Sequence, residues 1–475
     1  MKYTPLTIAL LSFVLTVSLA AAAESRPNIV FIMADDMGYG DAGCYNANSK
    51  IPTRHIDRLA REGMRFTDAH APAALCVQTR YGLMTGRYPF RAKTTLVDYD
   101  GLTVASLLKR AGYATGCVGK WHLGFNNQGY DKPLGGGPVA NGFDKYFGIP
   151  ASLDIPPYYY IENDRAVAAP SETIEANNSS GWSPIQGAFW REGGVALGFR
   201  HVDVLPKFAE KSVDLVNMHA KASPEKPFFL YLALPAPHTP WMPTKKYLGK
   251  SKAGMYGDFA VQVDDVVGGV LDALDRHGLT KNTLVIFTSD NGPVWYAADV
   301  KRLGHASVGP LRGMKADAWE GGHRMPFIAR WPGRIEAKST CKETICLTDM
   351  LATFAAVTDQ KLPNGDGLDS YNITPLLLGR DHKSPFREAT IHQSGRRVLA
   401  VRSGKWKLIP ALGSGGFSEP RKVKPKPGGP RGQLYDMEAD LGETKNLWSE
   451  HPAIVKRLTS LLEGYRKAGR SVPGR

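Results

Sequence analysis

The chain has few cysteines, five in 475 residues, and an odd number of them. This count excludes a small fold cross-linked by disulfides. Cys341 and Cys346 are near enough in sequence to bridge in an oxidising compartment, and Cys44 and Cys117 could pair or simply be buried. Cys76 is left over, and it alone stands in a distinctive local sequence.

Long apolar runs are absent beyond residue 23. The first residues differ, because one lysine, an apolar run at 6–19 and small alanines ending at Ala23 are typical of a cleavable secretory signal. A retained anchor is the alternative, but the run barely reaches the roughly 20 residues that span a bilayer. We therefore predict a signal peptide at 1–23, a periplasmic or secreted location, and no membrane span in the mature chain.

Acidic residues are in the minority. The chain has 59 Lys and Arg against 45 Asp and Glu, a formal charge of +14, which favours polyanionic partners such as nucleic acid, acidic lipid or sulfated glycan. No dense Lys/Arg run is present, and together with the predicted export this argues against nucleic acid. Hydrophobic residues make up 43%, enough for a sizeable core.

Short, continuously apolar strands alternate with helices before residue 385. Predicted strands cover 28–33, 114–118, 228–234 and 283–288, and predicted helices cover 102–111 and 258–277. This pattern indicates a parallel sheet covered on both faces. We predict an α/β fold with a large, mostly parallel sheet between helices, formed by a domain at 24–384.

The pattern changes after about residue 385. Short antiparallel strands are predicted at 390–392, 398–402 and 406–409, a mobile Gly/Pro/Lys-rich loop at 411–432 and an amphipathic helix at 454–468. We predict a small α+β subdomain at 385–475. Residues 151–200 look like an irregular insertion whose aromatic residues either stack on a sugar or, more commonly, pack the insertion; they are Tyr158, Tyr159, Tyr160, Trp182 and Trp190.

Polar clusters follow four of the predicted strands. They are Asp35-Asp36, Lys120-Trp121-His122, His238 and Asp290-Asn291. Each alone could be an ordinary turn or loop. In an open parallel sheet, however, ligands bind beyond the carboxyl ends of the strands, so we predict that the four clusters converge on one site.

Oxygen ligands dominate these clusters. Asp35, Asp36, Asp290 and Asn291 suit Ca²⁺ or Mg²⁺ and suit zinc poorly, because no Cys/His ligand spacing accompanies them. Five potential cations are expected nearby: Arg80, Lys120, His122, His238 and Lys315. Such a pocket could stabilise a tetrahedral oxyanion such as sulfate or phosphate.

The segment from Ala73 to Arg87 resembles the sulfatase signature, C-x-P-S-R followed by x-x-L-x-T-G-R. Further segments resemble the same family in the same order: 27–41, 103–124, 228–240, 284–292 and 309–333. The chain is thus similar, over about residues 27–440, to type I formylglycine-dependent, arylsulfatase-like members of the alkaline-phosphatase superfamily.

The resemblance implies that a maturation enzyme oxidises Cys76 to formylglycine, whose hydrate has two hydroxyls. One hydroxyl would attack sulfur near a helix N-terminus, and the other would expel sulfate. The implied metal ligands, for one Ca²⁺ per chain, are Asp35, Asp36, Cys76, Asp290 and Asn291.

The resemblance also implies individual catalytic roles. His238 would protonate the departing alcohol and His122 would assist the second step. Arg80 and Lys120 would hold the formylglycine hydroxyls, and Lys315 would hold sulfate oxygens. The implied substrate-binding set is Lys120, His238, Lys315 and His305, of which His305 is equally well an ordinary loop residue. His323 is expected to be structural, with Arg324 anchoring a loop.

Gln78 departs from the family pattern, which has proline two residues after the cysteine, and Thr79 replaces the commoner serine. Because the maturation enzyme reads this segment unfolded, Gln78 bears on the conversion of Cys76. Arg80 and residues 83–87 match the pattern, and we predict conversion.

We predict hydrolysis of an organic sulfate ester, with a sulfated saccharide favoured over a small sulfate ester because of the positive charge and the predicted export. A phosphoester or phosphonate hydrolase on the same scaffold is one alternative. A sulfated-glycan-binding protein with unmodified Cys76 is the other.

Overall fold

The computed structural model describes residues 26–473, so the predicted signal segment at 1–23 lies outside the described residues. The helices are α1 (Arg54–Glu62), α2 (Cys76–Thr85), α3 (Val104–Arg110), α4 (His201–Ala222), α5 (Gly254–Arg276), α6 (Ala297–Leu303), α7 (Glu320–His323), α8 (Met350–Val357), α9 (Thr374–Leu377) and α10 (Pro452–Ala468). Between residues 26 and 473, none of the helices is long and apolar enough to cross a bilayer.

The strands of the first half of the chain are β1 (Asn28–Asp35), β2 (Met64–Phe66), β3 (Ala69–His70), β4 (Ala114–Lys120), β5 (Lys145–Ile149), β6 (Ile161–Glu162), β7 (Arg165–Ala166), β8 (Glu172–Ile174), β9 (Gly193–Val195) and β10 (Phe228–Pro237). Those of the second half are β11 (Thr283–Ser289), β12 (Phe327–Arg330), β13 (Ser339–Cys341), β14 (Ile345–Cys346), β15 (Thr390–Gln393), β16 (Leu399–Ser403), β17 (Trp406–Ile409) and β18 (Gln433–Asp436).

A ten-stranded sheet forms the centre of the molecule, in the order β13-β2-β12-β11-β1-β10-β4-β5-β6-β7. Its five adjacent strands β11, β1, β10, β4 and β5 are parallel. Every residue of β1, β10 and β11 is buried. Burial on both faces explains why these strands are continuously apolar, and the predicted α/β class is confirmed.

Two groups of helices cover this sheet. Helices α1, α4 and α5 pack together, as do α2, α3 and α8, and each group contacts the sheet. Phe354 of α8 packs edge-on against Phe31 of β1, with ring centroids 6.3 Å apart. The predicted strands and helices are all present, with ends shifted by a few residues.

Strands β15 to β18 form a separate antiparallel sheet in chain order, and α10 packs on β16 and β17. The predicted antiparallel sheet near the C-terminus is thus confirmed. Leu408, Leu434 and Leu458 form its core, which also includes Tyr88 and Cys346 from the main domain. This shared core attaches the small sheet to the large one.

The segment 411–432 is only partly a free loop. Residues 413–416 are buried, Ala318 N donates to Ser414 O at 2.7 Å, and Phe417 N donates to Asp317 Oδ1 at 2.8 Å. Residues 419–428 are exposed. The prediction of a mobile loop is therefore wrong for 413–418, because backbone hydrogen bonds fix this stretch against residues 317–318.

The insertion at 151–200 contains β6 to β9 and packs through its aromatic side chains. Trp190 stacks on His201 with ring centroids 4.6 Å apart, and Trp182 meets Trp241 edge-on at 4.7 Å. All five cysteines are free thiols, so neither possible disulfide is formed.

Candidate active site

The four polar clusters lie at one edge of the large sheet. Their strands β11, β1, β10 and β4 are adjacent and parallel, so their carboxyl ends coincide. Asp35 and Lys120 are the last residues of β1 and β4, while His238 and Asp290 follow β10 and β11 directly. The structure therefore brings together the residues that the sequence places at four strand ends.

Four oxygen-bearing residues, Asp35, Asp36, Asp290 and Asn291, form what we call the catalytic edge. Asp36 N donates to Asp290 Oδ1 at 3.2 Å, and Asn291 Nδ2 donates to Asp36 Oδ1 at 2.6 Å. Asp35 Oδ1 and Asn291 Oδ1 are buried and have no hydrogen-bond donor. Unsatisfied buried oxygens are costly, and a hard cation would satisfy them.

Three cations surround the catalytic edge. Lys120 Nζ lies 2.5 Å from Asp35 Oδ2, and Lys315 Nζ lies 2.8 Å from Asp36 Oδ2. Arg80, on α2, donates from Nη2 to Asp290 at 2.9 Å. All three side chains are buried, so their charges act through a medium of low dielectric.

The carboxylates respond unequally to this field. Burial would raise the pKa of Asp35, but Lys120 and the neighbouring cations hold that pKa well below its ordinary value. Burial and the charge of Asp35 raise the pKa of Asp290 to about 6. Burial and Asp35 thus make Asp290 harder to ionise than an ordinary carboxyl group, an effect that a bound cation would offset.

Cys76 is the first residue of α2, where backbone N–H groups favour an anion. Its thiol lies 3.5 Å from His122 Nδ1 and offers a ligand atom within 4.8 Å of Asp35 and Asp290. Burial nevertheless raises the pKa of the thiol. Burial and the charge of Lys120 also lower the pKa of His122 well below its usual range, so His122 is neutral at neutral pH.

Three residues at this edge have left-handed backbone conformations. Asp36, His122 and Ala316 have φ angles of 61°, 60° and 71°. Such conformations are strained for residues with a side chain and tend to occur at functional sites. Here they direct the chain sharply at the ends of β1 and β4 and next to Lys315.

Comparison with known proteins places the chain among sulfatases. The family model described as Sulfatase matches residues 27–360. The chain belongs to the sulfatase family. A curated relative, N-acetylgalactosamine-6-O-sulfatase of Bacteroides thetaiotaomicron, is 35% identical over 93% of this chain and 94% of its own. Human arylsulfatase A is 34% identical over 83% of this chain and 77% of its own. This sulfatase therefore acts on sulfate esters.

Solved structures agree with this assignment. A protein from work on glycosaminoglycan metabolism by Bacteroides thetaiotaomicron superposes with a TM-score of 0.82 and 34% identity, covering 93% of this chain and all of its own. A sulfatase from Pseudoalteromonas sp. superposes with a TM-score of 0.73 and 25% identity, covering 95% and 92%. Both share the fold described above.

His238 contacts both the catalytic edge and the insertion. Its Nε2 lies 3.6 Å from Asp36 Oδ2, and its Nδ1 lies 2.7 Å from Thr239 O. Asp154, from the insertion, places Oδ1 3.9 Å from the same Nδ1 and is fixed by Arg191 at 2.5 Å. Asp154 was not among the predicted site residues, because nothing in its local sequence marks it.

His305 does not lie among these residues. It is fully buried, its Nε2 is 2.8 Å from Asp41 Oδ1, and Lys50 N donates to its Nδ1 at 3.3 Å. Asp41 also accepts a hydrogen bond from the hydroxyl of Tyr256, whose oxygen lies 3.1 Å from Asp36 O. His305 is therefore buried against Asp41, an arrangement that fits the ordinary loop residue the sequence equally allowed, and its contact with substrate stays a prediction.

Proposed function

We propose that this sulfatase removes sulfate from a sulfated saccharide, using a formylglycine made from Cys76 and a bound Ca²⁺. The supporting observation is the position of Cys76: it begins a helix, faces two buried carboxylates and lies beside three cations. As a thiol it is a poor nucleophile there, because burial raises its pKa. Conversion to an aldehyde hydrate would supply two hydroxyls, one to attack sulfur and one to expel sulfate.

The donor set supports calcium. Asp35, Asp36, Asp290 and Asn291, with an oxygen at residue 76, would hold the ion, which would polarise the reacting oxygens as a Lewis acid. The unsatisfied Asp35 Oδ1 and Asn291 Oδ1 are the ligand atoms that the fold leaves free.

The chain's own side chains would handle the charges and protons. Lys315 and Lys120, both buried, would bind sulfate oxygens as negative charge moves onto the leaving group. His238 would donate a proton to the departing alcohol from Nε2, since Nδ1 is engaged by Thr239 O. Neutral His122, 3.5 Å from the Cys76 sulfur, would accept a proton from residue 76 in the second step. Arg80 would fix Asp290.

The substrates of related sulfatases and the positive net charge of this chain both support a saccharide substrate. The bacterial relative is an N-acetylgalactosamine-6-O-sulfatase, and a more distant solved relative binds D-glucosamine-2-N,6-O-disulfate. The formal charge of +14 suits a polyanionic glycan. We also propose export through residues 1–23 and a division into domains 24–384 and 385–475.

The test compares two thiols. Cys76→Ala should lower turnover of a chromogenic aryl sulfate by at least about 10³-fold, as expected for loss of a nucleophile. Cys117→Ala, which removes another buried thiol, should retain turnover. Mass spectrometry of the residue-76 peptide from the native host should show the aldehyde. An unmodified thiol in active protein, or activity in Cys76→Ala, would overturn the proposal.

A further inference from the structure

A basic cavity of about 430 Å³ lies beside the helix that begins at Cys76. Its lining includes the amides of Gln78 and Gln393, the cations of Lys93, Arg397 and Arg466, and the ring of Phe90. No Asp or Glu of the described chain lines it. The volume is that of a small-molecule binding site, and the three cations favour an anionic ligand.

Backbone hydrogen bonds join this cavity to the reacting residues. Ala74 N donates to Gln393 O at 2.9 Å, two residues before Cys76. Ala316 N donates to Ala74 O at 2.8 Å, and Gly395 N donates to Ala316 O at 2.7 Å, next to Lys315. The cavity wall formed by the β15–β16 loop is therefore hydrogen-bonded to two segments that carry proposed site residues, one leading into Cys76 and one following Lys315.

Two of the cations are available to a ligand. Within residues 26–473, neither Lys93 nor Arg397 has a carboxylate within 4.0 Å, whereas Arg466 pairs with Glu463 at 2.9 Å. Arg397 is exposed at the tip of the β15–β16 loop. Unpaired cations that converge from separate segments on one concave surface are typical of an anion site.

We propose that this cavity is a second anion subsite, which binds a further sulfate or carboxylate of the glycan whose sulfate is removed at residue 76. This rests on the proposed function and specifies its substrate as a saccharide with at least two anionic groups. Gln78 then has a role that proline could not fill, since its amide can donate a hydrogen bond into the cavity.

The experiment uses Lys93→Gln/Arg397→Gln, which leaves the maturation segment intact. With a tetrasaccharide of 6-sulfated N-acetylgalactosamine and uronic acid, the loss of both cations should raise KM roughly tenfold, which corresponds to about 1.4 kcal/mol of binding free energy. For 4-nitrophenyl sulfate, which has one anionic group, kcat/KM should stay within about twofold of the unmutated protein. A tetrasaccharide whose carboxyl groups have been reduced identifies the group bound in the cavity. If the substitutions still raise KM for this substrate, the bound group is a sulfate; if they no longer raise KM, it is a carboxylate.

The matched control is Arg110→Gln/Lys221→Gln. These exposed residues end α3 and α4, at the opposite edge of the sheet, and their loss changes net charge equally. An equal rise in KM in the control, or an equal effect on the aryl sulfate, would overturn the subsite. Calorimetric binding of the tetrasaccharide to Cys76→Ala, with and without the cavity substitutions, separates the two proposals. The proposed function fails if the unmutated protein cleaves no sulfate ester. The subsite alone is refuted if the Kd of the tetrasaccharide for Cys76→Ala is the same with and without the cavity substitutions.

Discussion

Two buried polar clusters in this sulfatase contain residues that can bind metals, yet they differ in how their ligand atoms are arranged. One is the catalytic edge. The other, which we call the junction cluster, joins the large sheet to the C-terminal sheet and consists of Asp68, His70, Glu320, His323, His392, Lys407 and Glu443. By residue type alone, the three histidines make the junction cluster the better site for a transition metal.

The charges of the junction cluster are already satisfied. Asp68 and Glu320 each lie 3.1 Å from Arg324, and Lys407 lies 2.9 Å from Glu320 and 2.8 Å from Glu443. Buried atoms without a hydrogen-bond partner occur in both clusters: Asp35 Oδ1 and Asn291 Oδ1 at the catalytic edge, and Glu443 Oε1 and His392 Nε2 in the junction cluster. Of these, Glu443 Oε1 lies 2.8 Å from the ammonium of Lys407. Arg324 thus anchors its loop as the sequence suggested.

The histidines of the junction cluster are stacked. The rings of His323 and His392 are 4.1 Å apart and inclined by 7°, and burial lowers the pKa of both well below its usual range. A metal lies near the plane of each imidazole that binds it, so two parallel stacked rings cannot share one ion. The comparison teaches that the arrangement of the ligand atoms matters more than residue type: the free oxygens of Asp35 and Asn291 suit a hard cation, whereas the stacked imidazoles cannot share an ion.

Removal of calcium should have the largest effect and should act only at the catalytic edge. Chelation should lower kcat for an aryl sulfate by about 10²–10³-fold, because the charge that stabilises the reacting oxygens is lost. It should also lower the melting temperature, since an ion at 100 times its Kd stabilises the fold by about 2.7 kcal/mol. Both quantities should recover with Ca²⁺.

Two variants assign this effect to one cluster. Asp35→Asn should lose activity, and its melting temperature should no longer respond to Ca²⁺. His392→Phe should keep both the activity and the response to Ca²⁺. The reverse pattern would show that the junction cluster is the metal site.

Removal of the Lys407 ammonium group from the junction cluster should destabilise the fold and leave catalysis unchanged. Lys407→Met leaves Glu320 and Glu443 buried without their shared cation, which should cost about 3–5 kcal/mol in the free energy of unfolding. We expect kcat per folded molecule to stay within about threefold. Urea unfolding and active-site titration measure the two quantities.

Lys405→Met provides the control, because Lys405 itself is exposed and keeps its ammonium in contact with water while it pairs with Asp436 at 2.6 Å. Its unfolding midpoint should be indistinguishable from that of the unmutated protein. A collapse of kcat in Lys407→Met would mean that the junction cluster takes part in the reaction.

The sequence predicts the fold and the strand-end residues well because both follow from local patterns. An apolar strand such as 283–288 can be predicted from its own sequence. The position of Asp290 and Asn291 at the site then follows from the topology of parallel sheets, in which ligands bind beyond the carboxyl ends of the strands. The signature around Cys76 identifies the family.

The supporting residues could not be predicted in this way. Asp154 and Tyr256 reach the site from distant segments: Asp154 Oδ1 lies 3.9 Å from His238 Nδ1, and the Tyr256 hydroxyl lies 3.1 Å from Asp36 O. Each resembles any other polar residue in the sequence, as does Asp41, which contacts Tyr256. His305 lies near Lys315 along the chain but points to Asp41, because α6 and the following loop turn it away. The separation of two residues along the chain therefore does not predict their contact where the loop between them changes direction.

The smallest expected effect is on the pH dependence of stability. It tests whether the junction cluster reduces its negative charge by binding a proton, whereas the catalytic edge is proposed to bind a cation. Burial and the charge of Glu320 raise the pKa of Glu443 from 4.5 to about 7. The folded state therefore holds this proton more tightly than the unfolded state, and stability should decline as the pH rises from about 4.5 to 7. Glu443→Gln should flatten that decline by about 1–3 kcal/mol between pH 5 and pH 8 in urea unfolding. Glu438→Gln, at an exposed position, should leave it unchanged. If the free energy of unfolding depends on pH equally in both variants, Glu443 stays ionised in the folded protein. Both clusters would then keep their carboxylates charged and depend on cations to neutralise them.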